Sequence, residues 1–426
     1  MQLASFEISG LFGDLQHKIK FPIPKEKDTG PSLVILHGRN GVGKTTILRM
    51  LDGLLRLDFN EFRRIPFIEC SLQFDSDEIL RVRALRGKVL SGIEVTLGGK
   101  TVVLHPDRPG SISDVEKPKV EEFRALFFKK TETLIFEFID TERLYRLQQP
   151  NEEVEVVEDM TGISRVVRRH IAGTVARPNP KARSREVGVS IASRVKRFIQ
   201  QAQVNYRTFF STTEPDLFPR IIERLTSKEQ SVPQIEDLRG RVQRIHSEDA
   251  ENIRFGLEPD KWDYEQMMTQ LEALSHRRGT GRKHALTVLG SYVELLESRA
   301  AERKLVADRL MTFERLMKDF LGDKSVVIHP RIGIEIRRDN DQTLQENQLS
   351  TGEFHLLYLM VTALVTRRTG TVIAIDEPEM SMHLAWQRKL IPALLQCASR
   401  ANPLFLFATH SPDVAASYPD AMVELS

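Results

Sequence analysis

The first part of the chain is dominated by short apolar runs of strand length. Residues 2–8 alternate apolar and polar side chains, as a half-buried strand does, and residues 33–36 form a continuous apolar run typical of a buried strand. The same patterns predict further strands at residues 17–21, 68–74, 89–97, 101–104 and 133–139. The helical spacing of Ile47, Leu48 and Leu51 follows the run at 33–36. A strand–turn–helix unit is therefore predicted within a strand-rich region.

The pattern changes near residue 148, where apolar positions take on helical spacing. Segments 187–226, 233–246, 260–276 and 283–321 are predicted to be mostly helical. In the last segment two heptad patterns run in different phases, one through Leu286, Val293 and Ala300 and one through Leu310 and Met317. A broken heptad favours a short antiparallel helical arm or lobe over a long coiled coil.

The C-terminal part returns to strands and then alternates helix and strand. Strands are predicted at 325–328, 332–337, 371–375 and 404–408, and helices at 352–366 and 383–398. Such alternation is typical of a parallel sheet. We therefore predict an α/β fold with a mixed sheet, called the head below, plus a helical insertion. Its expected parts are residues 1–147, the N-terminal half of the head, 148–322, the insertion, and 323–426, the C-terminal half.

Composition narrows the class of protein. The 426 residues carry a net charge of +2, so the overall charge does not indicate that the protein binds nucleic acid. Two cysteines are too few for a disulfide framework and suit a reducing compartment. The N-terminus has neither a basic nor an apolar leader region, and the longest apolar run, 354–365, is too short to span a bilayer. A cytoplasmic protein without a membrane partner is expected.

Charge is unevenly distributed within the predicted insertion. Residues 151–159 carry five acids, and the segment from Arg165 to Arg197 carries ten Lys or Arg against the single Glu186. Arg277, Arg278, Arg282 and Lys283 form a second basic group. The segment is interpreted as a linker followed by a basic helix, and two interpretations of its charge stay open. It forms a solvated helix face, or it binds phosphate groups or an acidic partner, which makes DNA a candidate partner.

The strongest motif lies between the strand at 33–36 and the helix after it. Residues 38–45, GRNGVGKT, satisfy G-x-x-x-x-G-K-[ST] in a strand–loop–helix context. Glycines let backbone N–H groups converge on a phosphate at a helix N-terminus, the lysine reaches the β- and γ-phosphates, and the threonine hydroxyl ligates Mg²⁺. The predicted nucleotide-binding residues are Gly38, Asn40, Gly41, Gly43, Lys44, Thr45 and Thr46.

A pair of carboxylates follows the apolar strand at 371–375. In P-loop enzymes a carboxylate at the end of a neighbouring strand holds Mg²⁺, and a following acid can polarise the attacking water. Asp376 is therefore predicted to bind the metal and Glu377 to be the general base. The alternative is that the two acids only cap the turn before Pro378.

Two further groups have both a structural and a functional interpretation. Ser350 and Glu353 have the spacing of a capping box, and with Gly352 they also present a helix N-terminus that could meet the γ-phosphate bound to another subunit. His410 follows the strand at 404–408. Alone it would be an ordinary surface histidine, and beside the other motifs it is predicted to sense the γ-phosphate.

The order of these motifs resembles a known family. The motifs G-x-N-G-x-G-K-T-T, L-S-x-G-E, I-D-E-P-E and A-T-H-S-P are similar to those of ABC-type ATPases of the SMC, RecF and OLD-like branch of AAA family ATPases. The stretches I-S-G-L-F-G and F-I-D-T-E-R-L resemble ATPase subunits of bacterial anti-phage systems such as Septu and PARIS. The helical insertion carries no motif of this family.

The resemblance implies roles for residues in this chain. Ser350 and Gly352 would close on the ATP of a partner, which gives a homodimer or a higher homo-oligomer of ATP-sandwich dimers. Lys44, Glu377 and His410 would be the catalytic residues, with ATP and Mg²⁺ as cofactors. Glu142 stands where the family has the Q-loop glutamine and would join Thr45 and Asp376 around the metal.

Three functions remain open at this stage. The first is an ATPase sensor or scaffold in anti-phage defence that controls a separate effector, a nuclease or toxin, because no nuclease motif follows His410. The second is a RecF- or SMC-like ATPase of DNA repair or chromosome maintenance. The third is a clamp that is locked on DNA by ATP and hardly hydrolyses it.

Overall fold

The computed structural model describes most of the chain as two compact units. It covers residues 2–23, 30–59, 62, 64–86, 90–104, 117–131, 134–140, 154–158, 164–168, 190–213, 217–226, 232–257, 262–368, 370–399 and 401–426. The first unit comprises Met1–Glu153 and Ser350–Ser426, and the second comprises Val154–Leu349. The nucleotide-binding motifs all fall in the first unit, which is assembled from both ends of the chain.

The described elements are as follows. The strands are β1 (Leu3–Leu11), β2 (Leu15–Lys20), β3 (Ser32–His37), β4 (Glu69–Phe74), β5 (Ile79–Arg86), β6 (Leu90–Leu97), β7 (Lys100–Leu104), β8 (Ile135–Asp140), β9 (Val154–Glu158), β10 (Ser164–Arg168), β11 (Lys324–His329), β12 (Gly333–Arg338), β13 (Thr343–Leu344), β14 (Thr371–Asp376), β15 (Leu404–Thr409) and β16 (Met422–Glu424). The helices are α1 (Lys44–Arg56), α2 (Lys117–Lys130), α3 (Ile191–Thr213), α4 (Leu217–Thr226), α5 (Ile235–Arg254), α6 (Tyr264–Ser275), α7 (Thr280–Leu321), α8 (Thr351–Val365), α9 (Leu384–Cys397) and α10 (Pro412–Ala416).

A five-stranded parallel sheet forms one part of the first unit. Its strand order is β16-β3-β15-β14-β8, and each neighbouring pair is parallel. Every residue of β14 is buried, which explains its uninterrupted apolar sequence up to the terminal aspartate. Because all strands point the same way, the C-terminal ends of β3, β8, β14 and β15 meet at one edge of the sheet.

A six-stranded antiparallel sheet forms the other part, in the order β2-β1-β4-β5-β6-β7. The predicted hairpin of β6 and β7 is present, and Gly98 and Gly99 occupy its turn with φ of 56° and 80°. Phenylalanines pack beneath this sheet and around α1, and the fully buried ones are Phe6, Phe62, Phe67, Phe74 and Phe127. The predicted α/β class is confirmed, with parallel and antiparallel strands in separate sheets.

The sequence patterns missed several elements. β5 was not predicted, although its sequence alternates as a half-buried strand does: Leu80 and Val82 are buried while Arg81 and Arg83 face solvent. α2 was also missed. The segment interpreted as a linker contains β9 and β10, which pair antiparallel. Valine recurs in both strands, and β-branched residues favour such pairing over a linker.

The second unit is built around α7, a helix of 42 residues. Its N-terminal half packs against α5 and α6 through a cluster that contains Leu286, Val293 and Leu296. Its C-terminal half contacts β11, and Leu310, Phe313 and Met317 are buried there. The two heptad phases therefore belong to one continuous helix that buries different faces against different partners.

Strands β11 to β13 lie in the second unit, although residues 323–349 were predicted to belong to the C-terminal half of the head. They form a three-stranded antiparallel sheet that contacts α3 and α7, both from the insertion. The boundaries between the units fall at 153/154 and 349/350 instead of 147/148 and 322/323. Strand patterns alone do not tell which of two sheets a strand joins. Within the described residues, no helix is long and apolar enough to cross a membrane.

Candidate functional site: a P-loop at the edge of the parallel sheet

The loop between β3 and α1 has the geometry of a phosphate cradle. Gly41 and Gly43 have φ of 88° and 93°, values that glycine adopts without steric cost. A Cβ at Gly38 would lie 2.5 Å from the Leu425 carbonyl oxygen, and one at Gly43 would lie 2.6 Å from the Leu11 Cδ2. The first turn of α1 carries no acidic residue, and Gly43 gives it no side-chain cap. The N–H groups in the first turn of α1 can therefore bind an anion.

Lys44 turns back onto this loop. Its Nζ donates hydrogen bonds to the carbonyl oxygens of Gly38, at 2.7 Å, and Arg39, at 3.0 Å. Burial lowers the pKa of Lys44, while the nearby carboxylates Glu377, Asp376 and Glu379 act in the opposite direction. The lysine is therefore buried among loop carbonyls and acids, where a nucleotide phosphate would be a competing partner for its ammonium group.

Thr45 and Asp376 come together between α1 and β14. The Thr45 hydroxyl hydrogen-bonds to the Asp376 carboxylate, and burial raises the pKa of Asp376 to about 6, with further contributions from Glu377 and Asp140. A hydroxyl beside a carboxylate is an oxygen donor set that suits Mg²⁺, which usually takes its remaining ligands from water and substrate phosphates. No group of three or more His, Cys, Asp or Glu side chains forms a metal cluster within the described ranges. These two residues could hold Mg²⁺ together with a nucleotide.

Glu377 and His410 face each other across the ends of β14 and β15. The Glu377 Oε1 lies 3.2 Å from the His410 Nδ1. Glu377 has a φ of 50°, and its N–H donates to the Ala408 carbonyl oxygen at 2.8 Å, which fixes the turn to the neighbouring strand. A left-handed backbone at a non-glycine residue is a strained conformation that often marks functional sites. Both side chains remain partly exposed, so a substrate could reach them.

Sequence reasoning missed two pairs at this edge. The Thr409 hydroxyl donates to the buried Glu379 carboxylate. The Arg49 Nη2 donates to the Asp140 Oδ2 at 3.1 Å, and Asp140 sits opposite Asp376 in the strand register. Glu379 and Asp140 could have been chosen as candidates from their positions in the sequence. Glu379 ends the acidic turn after β14, and Asp140 ends an apolar strand. Nothing in the sequence indicated that these residues meet the P-loop helix and β15.

Ser350 is the N-cap of α8. The Ser350 N–H donates to the Glu353 Oε2 at 2.8 Å, and the Glu353 N–H donates to the Ser350 Oγ at 3.4 Å, so the predicted capping box is confirmed. A Cβ at Gly352 would lie 2.5 Å from the Ser381 carbonyl oxygen, and the site therefore needs glycine. These contacts are all made within one chain, and a role toward the nucleotide of another subunit stays a prediction.

Other predicted residues fall outside the described residues or belong to the second unit. Glu142 falls outside the described residues, as do Arg169 and most of the basic segment. Arg194 and Arg197 lie on α3, in the second unit. The second basic group lines a cavity of about 470 Å³ there, with Arg278, Arg282 and Lys283 beside one carboxylate, Glu236.

The family model described as "AAA domain, putative AbiEii toxin, Type IV TA system" matches residues 178–416, more than half of the chain. The match includes Ser350, Asp376, Glu377 and His410, and the P-loop precedes it. Among curated proteins, none matches the chain.

Solved structures similar to the chain include three Smc head domains. One, from Pyrococcus furiosus, has an extended coiled coil and is bound to the C-terminal domain of ScpA, with 11% identity, a TM-score of 0.41, and coverage of 97% of this chain and 91% of that one. Another is bound to the C-winged helix domain of ScpA, with 10% identity, a TM-score of 0.42, and coverage of 98% and 91%. A third, from Pyrococcus yayanosii, has a coiled coil and joint, with 12% identity, a TM-score of 0.40, and coverage of 97% and 93%.

Proposed function

This chain belongs to the family of AAA domains described as "putative AbiEii toxin, Type IV TA system", and from that premise we propose that it hydrolyses ATP to ADP and phosphate with Mg²⁺. The observation that carries the proposal is the distance of 3.2 Å between the Glu377 Oε1 and the His410 Nδ1. A carboxylate beside an imidazole, next to a P-loop, is suited to activate water and to contact the phosphate that leaves.

The roles of the residues follow from their positions. The N–H groups of the P-loop and the Lys44 ammonium bind the phosphates. Thr45 and Asp376 would hold Mg²⁺, which would supply positive charge beside the phosphate oxygens. Glu377 accepts a proton from the attacking water. His410 donates a hydrogen bond toward the γ-phosphate, and its ring is oriented by the Glu377 carboxylate.

Turnover and binding measurements test this proposal. The wild-type chain is expected to release phosphate from Mg-ATP, whereas Lys44→Ala should lose nucleotide binding. Glu377→Gln should keep binding and lose about 10²- to 10⁴-fold in rate, the usual contribution of a general base. Glu265→Gln, an exposed glutamate at the start of α6, serves as the matched control and should keep the wild-type rate. An unchanged rate in Glu377→Gln contradicts the assignment of the base, and binding without any turnover favours an ATP-locked clamp.

We further propose that the ATPase controls a separate effector, a nuclease or toxin, in defence against phage. The family description names a putative toxin of a toxin–antitoxin system, which supports a role in a system of more than one component. Both cysteines, Cys70 and Cys397, are buried and are not joined in a disulfide, which agrees with a reducing compartment such as the cytoplasm. Co-purification of the chain with the products of its neighbouring genes, in the ATP and ADP states, tests this role. A role in DNA repair would instead be supported by ATP-dependent binding to DNA ends without any such partner.

A further inference from the structure

Glu379 is a buried acid that has no role in the proposed reaction as described above. It is 6% exposed, and its Oε2 is buried and makes no hydrogen bond within the described part of the chain. Its Oε1 accepts a hydrogen bond from the Thr409 hydroxyl. Burial raises the pKa of Glu379, because the ionised form loses hydration, while the Thr409 bond and the nearby His410 act against that rise. An acid kept in such a place needs a reason beyond packing.

Thr409 connects this acid to the residues that carry His410. Its hydroxyl accepts a hydrogen bond from the Ser411 N–H at 2.9 Å, so its hydrogen is free to point at Glu379. Thr409 is fully buried at the end of β15 and is paired in register with His37 of β3. The hydroxyl therefore fixes the backbone on both sides of His410 to the sheet.

The turn that carries Glu379 is fixed to Glu377 in a similar way. The Met380 N–H donates to the Glu377 carbonyl oxygen at 3.0 Å, and the Met382 N–H donates to the Glu379 carbonyl oxygen at 3.1 Å. The Gln387 amide on α9 donates to the Met382 carbonyl oxygen at 3.0 Å. Glu379 thus joins two short segments, one that presents Glu377 and one that presents His410.

We propose that Glu379 is a positioning residue, which holds the Thr409 hydroxyl and through it keeps His410 beside Glu377. This inference rests on the proposed ATPase function. It predicts that loss of Glu379 moves the imidazole without removing any group that binds the nucleotide. The rate of hydrolysis should fall while ATP affinity is kept.

Steady-state kinetics with paired variants tests the inference. Glu379→Ala and Thr409→Val should each lower kcat about tenfold, the effect of one orienting hydrogen bond, with little change in KM. Thr409→Ser and Glu379→Gln keep the donor and the acceptor, and both are expected to retain most of the wild-type kcat. In a His410→Ala background, Glu379→Ala should cause no further loss, since it acts through that histidine. Independent losses that multiply in the double variant would overturn the inference.

A measurement without nucleotide separates this inference from the ATPase proposal. The ring signals of His410 in an NMR spectrum are identified by their loss in His410→Ala. They should shift in Glu379→Ala and Thr409→Val and stay in place in Thr409→Ser. If they stay in place in all three variants, Glu379 does not position His410, whether or not the chain hydrolyses ATP. If they shift while the wild-type chain shows no turnover, the ATPase proposal fails and the positioning role stands.

Discussion

Asp140 and Asp376 end two neighbouring parallel strands side by side, in register. Their carboxylates come from positions more than 200 residues apart in the sequence. Asp140 contributes to the raised pKa of Asp376, and Arg49 on the P-loop helix opposes it. Arg49 also forms an ion pair with Asp140, at 3.1 Å, so the positive charge of one arginine acts on both carboxylates.

Removal of Arg49 should therefore destabilise the first unit. In Arg49→Met, the Asp140 carboxylate loses this ion pair while its side chain is only 4% exposed, and we expect a loss of about 2 kcal/mol in the free energy of unfolding. This is below the 3–5 kcal/mol typical of fully buried pairs because Arg49 is itself partly exposed. Urea denaturation measures this loss. Arg56→Met is the matched control, because it breaks a pair on the same helix with Asp52, which is 23% exposed. That change should cost about 0.5 kcal/mol. Equal losses in the two variants would contradict the role of Arg49.

The raised pKa of Asp376 predicts a dependence of stability on pH. Burial favours the neutral carboxyl, so the folded chain holds a proton that the unfolded chain releases between the ordinary pKa of 3.8 and about 6. The loss of folding stability caused by ionised Asp376 is absent below about pH 3.8 and complete above about pH 6. Without nucleotide and Mg²⁺, Asp376→Asn should therefore stabilise the chain by roughly 3 kcal/mol at pH 8 and by much less at pH 4.

Unfolding by urea at the two pH values checks this difference. Asp420→Asn removes a charge from an exposed aspartate near the C-terminus and serves as the control. A gain in Asp376→Asn of the same size at both pH values would show that its charge is not the cause.

Two interpretations of the basic residues of the second unit stay open: a solvated face, or a surface that binds phosphate groups of DNA or an acidic partner. If the surface binds DNA, charge reversal at Arg168, Arg169, Arg194 and Arg197 should weaken that binding at least tenfold. The slope of log affinity against log salt concentration should then fall by about one unit for each phosphate that is no longer neutralised. Fluorescence anisotropy over a salt series measures both. Charge reversal at Arg315 and Arg331, exposed arginines of the same unit, is the control. If binding to DNA and to the effector both survive, the segment is a solvated face.

The contribution of the second basic group to DNA binding can be measured separately from that of the segment Arg165–Arg197. Its cavity of about 470 Å³ has three cations against one carboxylate. Charge reversal at Arg278 and Lys283 alone, in the same salt series, shows whether these residues contribute to DNA binding.

The predicted assembly places Ser350 against ATP bound to another subunit. If so, Lys44→Ala and Ser350→Arg subunits, each inactive alone, should regain part of the wild-type turnover when mixed, since each mixed dimer has one site with both groups intact. Phosphate release over a titration of one variant with the other measures the recovery. Turnover per subunit of the wild type should also rise with protein concentration if free subunits are monomeric.

A control for folding accompanies that mixture. Both variants should keep the wild-type circular dichroism and the ability to associate. If they do and no mixture recovers turnover, either the two sites are obligatorily coupled or Ser350 acts within its own subunit. An ATP-bound dimer in which Ser350 is far from every γ-phosphate would reject the assembly in trans.

The sequence by itself determined the local elements of the site. The apolar run before Gly38, the glycine spacing and the capping box at Ser350 all depend on contacts between residues close in the chain, and each was found in the structure as predicted. The same holds for β14 and β15, whose continuous apolar sequences mark buried parallel strands.

Only the tertiary structure decided which distant residues meet. The pairing of β14 with both β8 and β15 brings Asp140 beside Asp376 and lets Thr409 reach Glu379. The register of a parallel sheet depends on packing and hydrogen bonds between strands, which no short segment encodes. Contacts between distant residues also explain the two heptad phases of α7, which were interpreted as a short antiparallel helical arm or lobe. The structure shows one continuous helix with a different partner for each half.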